Sequence, residues 1–227
     1  MKILKEASLA ISLALLSLNV SGASKVHLDH ADTDIMDTAS LQNGAKLFMN
    51  YCSGCHAIGF MRYNRIGKDL GLSDELVEKN LMFAGSKPGE TIITAMPENA
   101  AYKWFGGTPP DLSLVARSKG TDWIYTYLRS FYDDESRMFG VNNIVLVNAS
   151  MPDALWSLRE SQSETEFDNS VRDITNFLDY VGEPAKLIRL QLGKWVLLFL
   201  SILFVLVYLL KKEYWKDVKY GIWRPRD

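Results

Sequence analysis

The stretch Tyr51–Gly59, YCSGCHAIG, holds both cysteines of the chain, Cys52 and Cys55, with His56 directly behind them. Residues three and four apart lie on one face of a helical turn, so all three side chains can address one flat object. C-x-x-C-H is the attachment pattern of a c-type haem, in which two thioether bonds fix an edge of the macrocycle and the imidazole lies beneath the iron. Two other readings compete. A zinc site of this kind needs a second Cys or His pair; His27 and His30, with Asp29 and Asp32, read instead as a surface segment and are assigned no site. A redox dithiol belongs at a helix N-terminus, where the dipole stabilises the thiolate. Here the pair closes a helix predicted from Thr38 or Ser40, in which Leu41, Ala45 and Phe48 recur at helical spacing.

Outward from the motif, both ends of the chain read as membrane-related. Lys2 and Lys5 precede the apolar run ASLAISLALLSLNV, which ends in the small residues Ser21 and Ala23. That order predicts a secretory signal peptide over residues 1–23, and the run is too short to span a bilayer. Near the other end, Trp195–Leu210, WVLLFLSILFVLVYLL, carries no charge. At about 1.5 Å per residue it covers roughly 24 Å, and Lys194 and Lys211 can snorkel to extend it. A single transmembrane anchor is predicted over 187–210, with Trp195, Tyr208, Tyr214 and Trp215 as an aromatic belt. The tail, 211–227, has six basic residues against three acidic ones, which places it in the cytoplasm by the positive-inside rule. Residues 24–186 are thus expected to form a periplasmic domain of a single-pass protein in a bacterial inner membrane.

Residues 24–210 carry a net charge of about −6, which speaks against a nucleic-acid partner and favours a cationic protein. Residues 24–37 lack a period and read as a loop or loosely docked lead-in. SDELVEKNLMFAG reads as a helix capped by Ser73 and stopped at Gly85. Lys87–Pro110, rich in Gly and Pro, reads as mainly irregular with one helical turn. Trp123, Tyr127, Leu128 and Phe131 form an aromatic stripe assigned to core packing. Ser163 and Glu166 fit a capping box for a last soluble helix, with Phe167, Val171, Ile174, Leu178 and Val181 on one face and Gly182 then Pro184 at its close.

An electron carrier fills the sixth iron position, and a methionine there raises the potential. Met36, Met49, Met61, Met82, Met96, Met138 and Met151 are available; Met49 and Met82 lie in helical patterns and read as core. Met96 and Met151 are each followed by a proline that stiffens the loop, and spacing does not separate them.

The segments NGAKLFMNYCSGCHAI, NAAYKWFGGTPPDLSLVAR and NASMPDAL, followed by one C-terminal apolar helix with a basic tail, resemble the cytochrome c1 family over nearly the whole chain. The resemblance implies a mainly α, class I-like c-type cytochrome domain with a single C-terminal transmembrane helix, bearing one covalently attached haem c. By position it implies Met151 as the axial partner of His56. It implies that Pro109 and Pro110 border the His56 side, with a backbone carbonyl there as acceptor of the imidazole N–H, and that Arg117 or Lys119 pairs with a haem propionate. It further implies the electron-relay subunit of a quinol–cytochrome c reductase of the bc1 type, a dimeric complex with cytochrome b and Rieske iron–sulfur subunits, delivering single electrons to a soluble or anchored cytochrome c. Quinol chemistry belongs to cytochrome b, so this chain would not bind the organic substrate. With both cysteines consumed, the internal disulfide of some members has no counterpart. A free-standing anchored cytochrome shares the haem motif but not PPDLS with the late anchor; an anchored thiol oxidoreductase would show two alkylatable thiols and no haem absorbance.

Overall fold

Asp37 opens helix α1 (Thr38–Tyr51) by accepting a hydrogen bond from the backbone N–H of Ser40 at 3.1 Å. The computed structural model describes residues 26–221, so the predicted signal peptide lies outside the described residues. α1 carries the motif at its C-terminal end and is fixed by its crossing with α8 (Glu164–Gly182). A Cβ on Gly44 would stand 2.0 Å from the carbonyl oxygen of Asp173, so the two helices meet backbone to backbone. Phe48 and Phe177, both fully buried, pack beside this point with ring centroids 5.7 Å apart.

α8 starts with both halves of the capping box, Ser163 and Glu166. Phe167, Val171, Ile174, Leu178 and Val181 are all buried, as their spacing predicts. Its other face is buried too, and polar. Asp173 accepts from Ser40 Oγ at 2.7 Å and Asn43 Nδ2 at 2.8 Å, while Asn176 Nδ2 donates to Asp34 O at 2.8 Å. The Asp173 carboxylate and the Asn176 amide nitrogen are tolerated inside because they are partnered, while Asn176 Oδ1 has no partner among the described residues.

The lead-in has no regular element but is docked more firmly than a loose segment. Ala31 and Ile35 are buried, Asp29 N donates to Thr126 Oγ1 at 2.8 Å, and Ala31 N donates to Asp122 Oδ1 at 2.9 Å. His30 faces Asp122 at 3.2 Å. These ties run from backbone to side chain, which leaves no periodic trace in the sequence.

Between α1 and α8 the chain builds β1 (Ile58–Arg62), α2 (Tyr63–Leu70), α3 (Asp74–Asn80), β2 (Thr91–Ile92), α4 (Glu98–Phe105), α5 (Val115–Lys119), α6 (Thr121–Arg129), β3 (Phe131–Asp133), β4 (Val141–Asn143) and α7 (Trp156–Ser161). β1 pairs antiparallel with β2, Ile58 opposite Ile92, and β3 with β4, Phe131 opposite Asn143. Ser73 caps α3 as expected, but the helix stops at Asn80 because Leu81 turns into the core. The Gly/Pro-rich span holds a two-turn helix, α4, and strand β2 in place of one turn. The aromatic stripe is helical only to Arg129; Phe131 begins a strand.

After Gly182 three residues intervene before α9 (Lys186–Tyr220), a 35-residue helix with no buried residue. Glu183 ties this junction, pairing with Arg117 at 3.2 Å and Arg189 at 3.0 Å, and Lys186 pairs with Asp179 at 3.0 Å. α9 is long and apolar enough to cross a membrane. At about 1.5 Å per residue it reaches roughly 50 Å, well beyond the ~30 Å hydrocarbon core, so its helix continues past the expected end at 210. The chain is mainly helical, with one long apolar helix after its head.

Candidate haem site

The end of α1 shapes the motif. Cys52 is the C-cap, its N–H donating to Phe48 O at 2.8 Å, and the chain then turns tightly: Cys55 N and His56 N both donate to Cys52 O, at 3.0 and 2.8 Å. Thr94 Oγ1 donates to Gly54 O at 2.9 Å and clips the loop from outside. Cys52, Cys55 and His56 are brought together on this one turn, each partly exposed.

The PPDLS segment is laid along the residues after the motif. His56 Nδ1 lies 2.8 Å from Pro110 O, and Leu112 N donates to Ala57 O at 2.8 Å. A carbonyl only accepts, so Nδ1 carries the proton and Nε2, which has no partner among the described residues, keeps its lone pair. Burial pushes the His56 pKa down, against the Pro110 bond and the Asp111 charge, which push it up. The imidazole is thereby neutral and oriented, the state a metal ligand requires.

Asp111 and Ser113 complete this junction. Asp111 Oδ2 accepts from Gly59 N at 2.9 Å, its Oδ1 accepts from Ser113 N at 2.7 Å, and Ser113 Oγ accepts from Phe60 N at 3.1 Å. Burial would raise the Asp111 carboxyl, but its bonds to Ser113 and Gly59, with the nearby His56, hold it below the usual carboxylate range. Neither residue was singled out from the sequence. The signal was there: Asp and Ser two apart after a proline are residues that bond neighbouring backbone.

Met151 is held between two anchors. Upstream, the buried Asn143 takes N–H groups from Val145 and Leu146 on its Oδ1, at 2.9 and 3.1 Å, and donates from Nδ2 to Tyr127 O at 2.8 Å. Asn142 Oδ1 accepts from Asn148 N at 2.8 Å. Downstream, Asp153 pairs with Arg159 at 3.0 Å. The Met151 sulfur accepts from Tyr127 Oη at 3.4 Å. The sequence reading gave Tyr127 to core packing and did not single out Asn142 or Asn143; two adjacent asparagines before a 12-residue connection to α7 are their visible trace, since an amide side chain substitutes for backbone at both donor and acceptor.

The other methionines separate by burial. Met49 and Met61 are core, Met36 and Met138 are exposed, and Met82 is partly buried. Met96 lies near the motif too, its N–H donating to the Thr94 hydroxyl that bonds Gly54. Arg117 pairs with Glu183, and Lys119 lies over the Trp123 ring at 5.5 Å.

The thiols are unsuited to redox catalysis. Both are free, and burial, followed by the charge of Cys55, pushes Cys52 up to about 12; burial also raises Cys55. A dithiol nucleophile needs a depressed pKa, at the opposite helix end.

The family model of the Cytochrome C1 family matches residues 30–218. The chain belongs to the cytochrome c1 family. Cytochrome c1 of Allochromatium vinosum is 48% identical over 233 residues, covering 91% of this chain and 95% of its own length. The ammonia monooxygenase gamma subunit of Nitrosomonas europaea is 42% identical, covering 96% of this chain and 100% of its own. Cytochrome c1 of Rhodospirillum rubrum is 26% identical, with 81% and 84% covered. Membership in the cytochrome c1 family makes this an electron-transfer haem protein, and the family carries its haem c covalently. The residues fit such a group: two unpaired, protonated thiols and an imidazole nitrogen with its lone pair free stand on one turn.

Proposed function

We propose that this chain is the haem subunit of a bc1-type quinol–cytochrome c reductase, relaying single electrons from a Rieske iron–sulfur subunit to a soluble or anchored cytochrome c. Cys52 and Cys55 would hold haem c by thioether bonds, with His56 Nε2 and Met151 Sδ as axial ligands. When bound, the haem supplies a one-electron ferric/ferrous couple. The protein residues keep that couple's surroundings fixed. The Pro110 carbonyl holds the His56 ring and its tautomer, and the Asn142–Asn143 and Asp153–Arg159 anchors hold the loop that carries Met151. With His56 and Met151 both holding the iron, the group would have no open position for peroxidase chemistry and would have little to rearrange on electron transfer. Pro110 and either Arg117 or Lys119 remain the candidates for lining the haem and pairing its propionates.

The head, residues 24–186, lies in the periplasm after removal of residues 1–23, anchored by 187–210 in the inner membrane with 211–227 in the cytoplasm. The uncharged run Trp195–Leu210 and the basic tail support this orientation. α9 docks on cytochrome b within a dimeric assembly; its apolar surface supports that role and offers no proton relay from Trp195 to Leu210. The acidic head favours a cationic acceptor.

One observation carries the reading: on the turn that closes α1, two free thiols stand beside an imidazole whose Nδ1 proton is committed to Pro110 O. The test is stopped-flow reduction of the covalent haem by quinol in membranes with and without the iron–sulfur subunit. Rapid reduction that disappears with that subunit is expected. Reduction independent of it would identify a separate anchored cytochrome, and the absence of covalent haem would refute the site.

A further inference from the structure

Tyr127 was read as one member of an aromatic stripe, yet a phenylalanine would fill that stripe equally well. Its ring is stacked on Trp123 at 4.9 Å and 7° and meets Phe131 edge-on at 5.3 Å. Its carbonyl accepts from Asn143 Nδ2 at 2.8 Å. Ring and backbone are both clamped, in a side chain only 8% exposed. A buried hydroxyl without a partner is costly, and the acceptor this one meets is the sulfur of Met151 at 3.4 Å. A thioether sulfur has two lone pairs. Once one is taken by the O–H, the other points in a fixed direction, and the bond draws electron density from the sulfur.

We propose that Tyr127 is a positioning residue for the haem couple: its hydroxyl orients the Met151 sulfur towards iron and raises the potential by weakening the sulfur's donation to ferric iron. The inference rests on Met151 as axial ligand. Outer groups that hydrogen-bond a ligand tune both its orientation and its basicity. A less electron-rich sulfur stabilises ferric iron less, so the reduced form gains.

The experiment uses the full-length haem-loaded chain in detergent, with redox titration and the absorption band that arises from methionine sulfur bound to ferric iron. Tyr127→Phe keeps the ring packing and removes the donor; the midpoint potential falls and the band shifts while covalent haem is retained. Trp123→Phe disturbs the same stack but leaves the hydroxyl, and its potential stays close to that of the parent. Met151→Leu abolishes the band. An unchanged potential and band in Tyr127→Phe, with the band lost in Met151→Leu, overturns the role of Tyr127 and leaves the ligand assignment standing. An equal fall in Trp123→Phe overturns it by assigning the effect to packing. A band that survives Met151→Leu removes the ligand assignment and the inference with it; Met96→Leu then identifies the ligand.

Discussion

Helices α8 and α9 follow each other with three residues between them, yet they solve opposite problems. α8 includes Asp173, Thr175 and Asn176 and is buried on most of its circumference. α9 is far more apolar and has no buried residue. Burial therefore does not track hydrophobicity here. α8 is inside because α1, α5 and α6 supply matched partners, apolar at Phe48 and polar at Ser40 and Asn43. Among the described residues α9 touches the head only at its first turns, through Leu187, Lys186 and Arg189, and the apolar surface beyond suits lipid. In α8 an error of shape is expensive, whereas in α9 the expensive error is one of charge.

Phe177→Ala breaks the comparison on the α8 side most severely. Removing a fully buried ring that packs on Phe48 costs the head about 3–5 kcal/mol, read as a lowered urea midpoint of the full chain in detergent. Gly44→Ala adds a single methyl, but against the Asp173 carbonyl rather than a flexible side chain, and costs about 3 kcal/mol. A loss below about 1 kcal/mol in the same titration would mean that α1 can slide along α8. Leu203→Arg tests the other helix. It leaves the head's urea midpoint where it was, because no residue of the head packs on it, but it opposes membrane insertion by about 2.5–3.5 kcal/mol. Alkaline extraction of membranes measures that loss.

The same contrast explains what could be read in advance. α8 and α9 were legible because periodicity and uninterrupted apolarity are local properties of the chain. The turn that gathers Cys52, Cys55 and His56 was legible because C-x-x-C-H sets it within five residues. What holds the candidate side chains in place was not. Pro110 bonds His56 across 54 residues, Asn143 reaches Tyr127 across 16, and Tyr127 reaches Met151 across 24. The His56–Pro110 contact was anticipated through likeness to a family, not from spacing. The short strands were missed because two- and three-residue ladders carry no measurable alternation, and the docking of residues 26–37 because backbone N–H groups donating to Thr126 and Asp122 leave the sequence pattern untouched. Asp111, Asn142 and Asn143 belong to residue types that favour turns, and only folding showed which turns they organise.

The mildest test lies where α8 meets α2. Tyr180, fully buried, donates to Asp69 Oδ2 at 2.9 Å, and the same oxygen accepts from Arg65 Nε at 2.6 Å. Burial first, and then the Asp69 charge, push the Tyr180 pKa far above its ordinary value. A pKa raised on folding means that the folded state holds the proton more tightly. Its contribution is complete below about pH 10, the unfolded value of tyrosine, and is lost as pH rises towards the folded value. Tyr180→Phe should therefore cost about 1 kcal/mol at neutral pH, for the lost bond. Above pH 10 the gap to the parent should close, since the parent loses what the variant never had. Tyr63, Tyr125 and Tyr127 are also raised and give both proteins a common alkaline slope, so the difference between the two curves is the quantity to follow. A gap that stays constant from neutral pH to pH 11 would mean that Tyr180 contributes through packing alone, and that the α8 polar contacts act as spacers rather than as bonds.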